Sequence, residues 1–372
     1  MNFFVPLRQN MNIKAEKTAR KWRLPAEWEP QWGVQLTWPH AHTDWAPILN
    51  DIIETYHQMA REIAKRERLI VIEGGSGQWT ADSYDYQQDG IALKQSHHNC
   101  PLSTVHCHPL LCPTDDTWAR DHGFITLTDD EGHHRLLDYC FNGWGEKFPA
   151  DNDNAINRKM FDAGIVEGEY KDCLDFVLEG GSIESDGKGT IFTTTGCLLA
   201  PHRNQPLKKS EIEQRLLQDL GASRVIWIDH GHLTGDDTDG HIDTLVRICP
   251  DDTILYVGCD DPHDEQYEAL RLMEEQLKTL TTLEGQPYRL LKLPMPHPVY
   301  DDDYRLPATY ANFLILNGAV LCPTYGQPDL DDEAIRIISE AFPDREMVPI
   351  DSQVIIRQHG SIHCCTMQFP SV

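Results

Sequence analysis

No stretch of this sequence is apolar for long enough to cross a membrane, and Phe3-Phe4-Val5 is too short for the core of a secretory signal. The cytoplasm is therefore the expected compartment. Thiols stay reduced there, which suits eleven cysteines, an odd number without a regular framework. Basic residues are scarce: 32 Lys and Arg face 59 Asp and Glu, a formal charge of −27. That balance argues against nucleic acid or an anionic membrane as the main partner and would attract a cationic ligand. Three common site signatures are also missing. Cys100, His106, Cys107, His108 and Cys112 lack the paired spacing of a zinc site, and strand alternation would send His106 and His108 to one face and Cys107 to the other. The acids of Gly235–Asp243 lack the spaced ligands and closing Glu of a calcium loop. Gly180-Gly181 precedes no helix start carrying Lys-Ser or Lys-Thr, which excludes a phosphate loop.

No linker or low-complexity tract divides the 372 residues, and their apolar content suffices for a large core. Residues 1–24 are mildly basic and patternless, an expected loose leader within which Met11 is an alternative start, and residues 25–372 read as a single domain. A strand-like Gln35–Pro39 leads to an amphipathic helix with Ile48, Leu49, Ile52, Ile53, Tyr56, Met59 and Ile63 on one face, then a strand at 69–72. Residues 74–98 read as a loop with a short helix. Strands are expected at 104–111, 123–128, 135–140, 174–178, 190–199, 224–229, 243–248, 253–258, 347–350, 353–357 and 361–368. Helices are expected from Ser210, with Ser210 and Glu213 as a capping box and Gly221 as the stop, over 264–279, and over 331–341. Asn317-Gly318 signals a type I′ hairpin. Strands, one helix and a strand again recur along the chain, which suggests one pseudo-repetitive α/β domain without a visible sequence repeat.

Four polar stretches could carry chemistry. Near the end, Gly360-Ser361-Ile362-His363-Cys364-Cys365 precedes an apolar and polar alternation. On a strand its two cysteines would face opposite sides, one buried and inert, the other free to act as a nucleophile. Thr114–Gly123 is an acid-rich loop, ordinarily a solvated turn, in which Trp118 and Asp121 could offer an aromatic wall and a carboxylate to a planar cation. Asp186-Gly187 reads as a hairpin turn, but this does not explain Glu179 at the end of the apolar run Phe176–Leu178, where a buried acid needs a partner. His241 and Asp243, two apart, would point the same way on a strand, as an acid and base serving one site require.

Taken together, Thr114–Gly123, Leu178–Ser182, Asp239–Asp243 and Gly360–Cys364 resemble, in order and approximate spacing, the agmatine deiminase and bacterial-type peptidyl-arginine deiminase family. Pro25–Trp38, Phe141–Gly145 and Arg305–Phe313 share the resemblance, which covers about residues 25–370. It implies the pentein fold, a five-bladed pseudo-symmetric α/β propeller of ββαβ units with a central active site. It implies Cys364 as nucleophile, His241 as acid/base, Asp121 and Asp243 as the carboxylates on a guanidinium, and Glu179 as the acid beside His241. These types suit the chemistry, because a planar, delocalised cation is gripped by paired carboxylates and its carbon yields best to a thiolate.

The expected reaction is deimination of agmatine to N-carbamoylputrescine and ammonia through an amidino-cysteine, without metal or organic cofactor, in putrescine and polyamine biosynthesis. Asp237 is the candidate for the cationic tail and Trp118 for the methylenes. The alternative is deimination of peptidyl or free arginine to citrulline, with a related amidinotransferase behind it. From another class comes a non-catalytic zinc or redox protein built on the thiols at 100–112. The expected partner is a small guanidino cation, with no nucleic acid or membrane; a homo-oligomer is compatible with the sequence. The neighbouring Cys365, and Gln358-His359-Gly360-Ser361 in place of a Gly-rich run with Asn, depart from the family pattern.

Overall fold

The apolar spacing at 48–63 produces helix Leu49–Ala64, which buries Ile52, Tyr56, Met59 and Ile63 on one face. It carries the chain from strand Gln31–Trp38 to the parallel strand Arg68–Glu73. The computed structural model describes residues 20–74, 84–85, 92–93 and 107–371. Within these, the C-terminal strand Thr366–Pro370 pairs antiparallel with Gln31–Trp38, joining the two ends of the described chain in one sheet. Strand Cys107–Leu111 extends that sheet beyond Arg68–Glu73.

The same unit, an antiparallel pair followed by a helix and a parallel strand, then repeats. Ile125–Thr128 and His134–Cys140 continue through helix Ile156–Asp162 to Glu169–Val177. Ile183–Ser185 and Thr190–Thr194 continue through helix Lys209–Leu220 to Arg224–Ile228. Val246–Cys249 and Thr253–Val257 lead through helix Tyr267–Leu277 to Arg289–Leu293. Leu314–Leu316 and Ala319–Thr324 lead through helix Pro328–Ala341 to Glu346–Asp351. This is the five-bladed ββαβ propeller that the resemblance implied. The helices pack apolar faces on the sheets, as in the cluster joining Ile212, Leu216 and Leu220 to Ile191, Val225 and Trp227.

Several expected elements differ in detail. The helix expected from Ser210 starts at Lys209, and Glu211 rather than Glu213 caps it by accepting the Lys208 N–H at 2.9 Å. Glu213 instead receives the Trp227 indole N–H. Gly221 stops the helix at φ +65°, as expected. Asn317 is not in the left-handed region that a type I′ turn requires. Its side chain is held by the Gln31 backbone, and Gly318 alone has positive φ. Residues 353–357 form a 3₁₀ turn, Ile355–Gln358, instead of a strand, and the strand expected over 190–199 gives way after Thr194 to a helical turn. Asp243 lies in a 3₁₀ turn, Ile242–Thr244, and Cys364 and Cys365 occupy a turn before the last strand. Strand alternation therefore orients neither pair. Most of the loop expected at 74–98 lies outside the described residues, as do Cys100, His106 and residues 1–19 of the leader; Trp22 is already buried in the core.

Where the first strands of the blades converge, the interior is ionic. Arg247, with no exposure, donates from Nε to Glu184 Oε1 and from Nη2 to Glu27 Oε2, each at 2.6 Å. Glu27 also accepts from Arg120 Nη1 at 2.9 Å and faces His363 Nε2 at 2.9 Å. These contacts hold Glu27 well below the usual carboxylate range: burial works the other way, but His363, Arg120 and Arg247 outweigh it. Removing one member leaves its partners charged in a dry interior. Arg247→Met is therefore expected to lower the unfolding free energy by about 3–5 kcal/mol, read by urea denaturation. A loss below about 1 kcal/mol would show that the network relaxes freely.

Candidate active site

Each blade contributes to the site from the few residues before its first strand. Asp121 precedes Ile125–Thr128, Glu179 precedes Ile183–Ser185, and His241 and Asp243 precede Val246–Cys249. Asn312 precedes Leu314–Leu316, and Cys364 precedes Thr366–Pro370. All are buried. The Cys364 Sγ lies 3.7 Å from Asp243 Oδ2, and His241 Nδ1 lies 3.6 Å from Asp121 Oδ1. A Cβ built on Gly181 would stand 2.7 Å from His241 Nδ1, 2.8 Å from Asp121 Oδ1 and 3.2 Å from Asp243 Oδ2, so the three groups converge on this glycine.

Each carboxylate is aimed by fixed neighbours. Asp121 Oδ1 accepts the Gly181 N–H at 3.0 Å, and Asp121 Oδ2 accepts the Trp144 indole N–H at 2.9 Å. To deliver that indole, the backbone of Gly143, Trp144, Gly145 and Glu146 turns left-handed, with φ of 67°, 57°, 86° and 65°. Left-handed conformation costs a residue other than glycine roughly 1–2 kcal/mol, so the two glycines make the turn tolerable. Asn142 braces it by accepting the Gly145 N–H. Asp243 Oδ2 faces His363 Nδ1 at 2.7 Å, and the other nitrogen of that ring meets Glu27. Glu179 Oε1 accepts from Arg203 Nε at 2.8 Å, which supplies the partner that its buried position demands. Asn312 Oδ1 accepts the His363 and Cys364 backbone N–H groups, holding the turn that presents the thiol.

What remains unpaired is informative. Both ring nitrogens of His241, Asp243 Oδ1 and Glu179 Oε2 lack a hydrogen-bond partner among the described residues, although buried groups are normally satisfied. Carboxylate acceptors around a converging point suit a planar guanidinium. Burial lifts the Asp121 carboxyl above its usual range; His241 pulls it down and Asp243 pushes it up. Asp243 is also opposed by burial, yet the His363 hydrogen bond and charge, with His241 and Arg247, hold it below its usual range. His241 is raised well above an ordinary imidazole, because Asp121, Cys197 and Glu179 outweigh its burial, so it is cationic near neutrality. Burial, then Asp243 and Asp121, push the Cys364 thiol well up. The free site therefore stores a neutral thiol, and a cation bound between the two acids would remove the charges that oppose the thiolate.

Residues 23–370 match the Porphyromonas-type peptidyl-arginine deiminase family. The chain belongs to that family. Agmatine deiminase of Medicago truncatula is 32% identical, with 97% of this chain and 100% of that one aligned. The structure of a cysteine-to-serine variant of C. jejuni agmatine deiminase with substrate bound superimposes with a TM-score of 0.81 at 33% identity, over 94% of this chain and 97% of that one. A Porphyromonas gingivalis structure with a provisional arginine deiminase name gives 0.84 at 45% identity, over 94% and 98%.

Cys364, His241, Asp121, Asp243 and Glu179 thus lie together. Trp118 is buried beside them, its ring between those of Trp45 and Trp144, and Gly360 lies against it so closely that a Cβ there would fall 2.2 Å from the indole. Asp237 is half-buried near His359 and Lys147; burial pushes its carboxyl up to about 6, His359 pulling down and Asp236 pushing up. Cys365 points elsewhere, toward Tyr56, and burial pushes it up to about 12 against the Tyr56 hydrogen bond, which keeps it a neutral thiol. Sequence reading gave no role to Glu27, Trp144, Arg203, Asn312 or His363. Four of them lie inside the stretches that carry the resemblance; only the need of Glu179 for a counter-charge pointed toward Arg203.

Gly181→Ala is expected to lower kcat/KM for the guanidino substrate at least ~100-fold, because its methyl would force His241, Asp121 and Asp243 apart. Steady-state kinetics on protein with an unchanged circular dichroism spectrum provides the check. A loss under tenfold would mean that substrate sits away from this convergence.

Proposed function

We propose that the protein hydrolyses agmatine to N-carbamoylputrescine and ammonia, with residues 25–372 acting as one catalytic unit. The observation that carries this reading is the convergence of Asp121, Asp243 and His241 beside the Cys364 thiol, with acceptors left unpaired. The substrate guanidinium lies between Asp121 and Asp243, and its charge lowers the thiol pKa, so that the Cys364 thiol releases its proton to solvent. Cys364 Sγ attacks the guanidinium carbon, and His241, as imidazolium, protonates the departing ammonia. The amidino group remains bonded to sulfur. His241, now neutral, takes a proton from water as the oxygen adds to the same carbon. Collapse of this second adduct expels the thiolate, which takes up the proton left on the added oxygen as the ureido product is released, and the net change is addition of water and loss of ammonia.

The agmatine preference is supported by Asp237, a carboxylate suited to a second cation, with Trp118 beside the methylenes. Lys147, which donates to the Asp237 backbone carbonyl at 2.6 Å, is engaged by Asp239 at 2.9 Å and is not free for a substrate carboxylate. Deimination of arginine, free or in peptides, is the second reading, favoured by the similarity to the Porphyromonas gingivalis structure. A cytoplasmic location belongs to the proposal and accords with the free thiols among the described residues.

The test is ammonia release from agmatine, arginine and a blocked arginyl peptide, by wild type and Cys364→Ala. Turnover of agmatine alone, abolished in the variant, is expected; turnover of the peptide would replace the substrate and keep the chemistry. With agmatine, KM should rise as pH falls through about 6, where Asp237 gains its proton. Asp237→Asn should raise KM about tenfold and flatten that dependence. An unchanged KM in the variant would remove Asp237 from the tail site.

A further inference from the structure

Cys197 has no part in the reaction above, yet it lies in the floor of the site. It belongs to the helical turn Thr195–Leu198 that ends strand Thr190–Thr194 and has no exposure. One ligand atom each from Cys197, Glu179 and His241 lies within 4.8 Å of the other two, and all three residues are buried. Arg203 occupies Oε1 of Glu179 and leaves Oε2 unpaired, and neither His241 nitrogen has a hydrogen-bond partner among the described residues. We infer that Glu179, Cys197 and His241 form an inhibitory site for a borderline-soft divalent cation, zinc foremost.

The donor set supports this. A thiolate, an imidazole nitrogen and a carboxylate oxygen are the ligand types zinc prefers, and a three-ligand site leaves the fourth position to water. Tetrahedral bonds of the usual lengths put ligand atoms about 3.5 Å apart, so a triangle whose sides reach up to 4.8 Å needs contraction of at most about 1.3 Å. The surroundings suit a dication, since Asp121 and Asp243 face the same space and Arg203 is the counter-charge on Glu179. Binding would form a Zn–S bond as the Cys197 thiol gives its proton to solvent, and the His241 imidazolium would likewise release a proton to solvent to coordinate in its neutral form. Metal and substrate would be mutually exclusive, because the metal takes the nitrogen that must carry a proton to the leaving ammonia. The thiol at this position thus turns a guanidinium pocket into a zinc-sensitive one without involving the nucleophile.

Two measurements with separate readouts test the site. In the first, Zn²⁺ is titrated against ammonia release from agmatine. Inhibition competitive with substrate and reversed by chelator is expected, and Cys197→Ser should raise the half-inhibitory zinc concentration more than about tenfold. In the second, Co²⁺ is titrated into Cys364→Ala. One equivalent should bind with thiolate-to-cobalt charge-transfer absorption, and the double variant Cys364→Ala, Cys197→Ser should lose it. Cys197→Ala replaces the serine variant if circular dichroism shows the latter misfolded. Zinc sensitivity unchanged in the Cys197 variant, or no thiolate absorption in Cys364→Ala, overturns the site and places any metal on the nucleophile. The cobalt measurement is independent of which guanidino compound is turned over, so failure of the agmatine reading leaves it intact.

Discussion

Charge taken out of water must be matched by charge, and the centre of this propeller is governed by that rule. Arg247 is a guanidinium without exposure, held between Glu184 and Glu27. Glu27 passes the constraint to His363, whose two ring nitrogens face two carboxylates. His363 in turn keeps Asp243 ionised and turns one of its oxygens toward the site. The permanent ion pairs behind the pocket thus set the charge of the acid in front of it. The protein handles its own guanidinium groups, Arg247 and Arg203, with the same carboxylate pairing that the site offers to a substrate.

Fivefold repetition explains how groups so distant in sequence meet. In a ββαβ unit the first strand is reached from the preceding blade by a connection whose last residues arrive at the axis. Asp121, Glu179, Asp243, Asn312 and Cys364 all occupy it, each within a few residues of the strand that follows. Five copies of one backbone position have become the carboxylates of Asp121, Glu179 and Asp243, the Asn312 amide that braces the last turn, and the Cys364 thiol. The strain is local: a left-handed turn at Gly143–Glu146 places one indole N–H on Asp121.

The free site is poised rather than active. Its acids favour the cationic His241 and disfavour the Cys364 thiolate. In the proposed reaction a guanidinium supplies the missing positive charge, and only then do the two protonation states suit attack. Coupling nucleophilicity to occupancy protects a buried thiol from stray electrophiles, and Cys365, turned to Tyr56, stays inert without such help.

Sequence alone determined the residue types and their order: a strongly acidic chain, alternating strands and helices, and the separated stretches holding Asp121, Glu179, His241, Asp243 and Cys364. Local pattern is a short-range property, so the helix at Leu49–Ala64 and its stop-signal counterpart at Gly221 were legible from spacing and from glycine. Tertiary structure decided the rest. His241 and Asp243 were expected on a strand and sit around a 3₁₀ turn, and the two terminal cysteines diverge in a turn rather than by alternation. What aims them is contact with Asn312, His363 and Gly181, residues far away along the chain. The roles of Glu27, Arg203 and His363 likewise arise only when burial forces each charge to find a partner, and that partner is chosen by the closure of the ring, not by spacing in sequence.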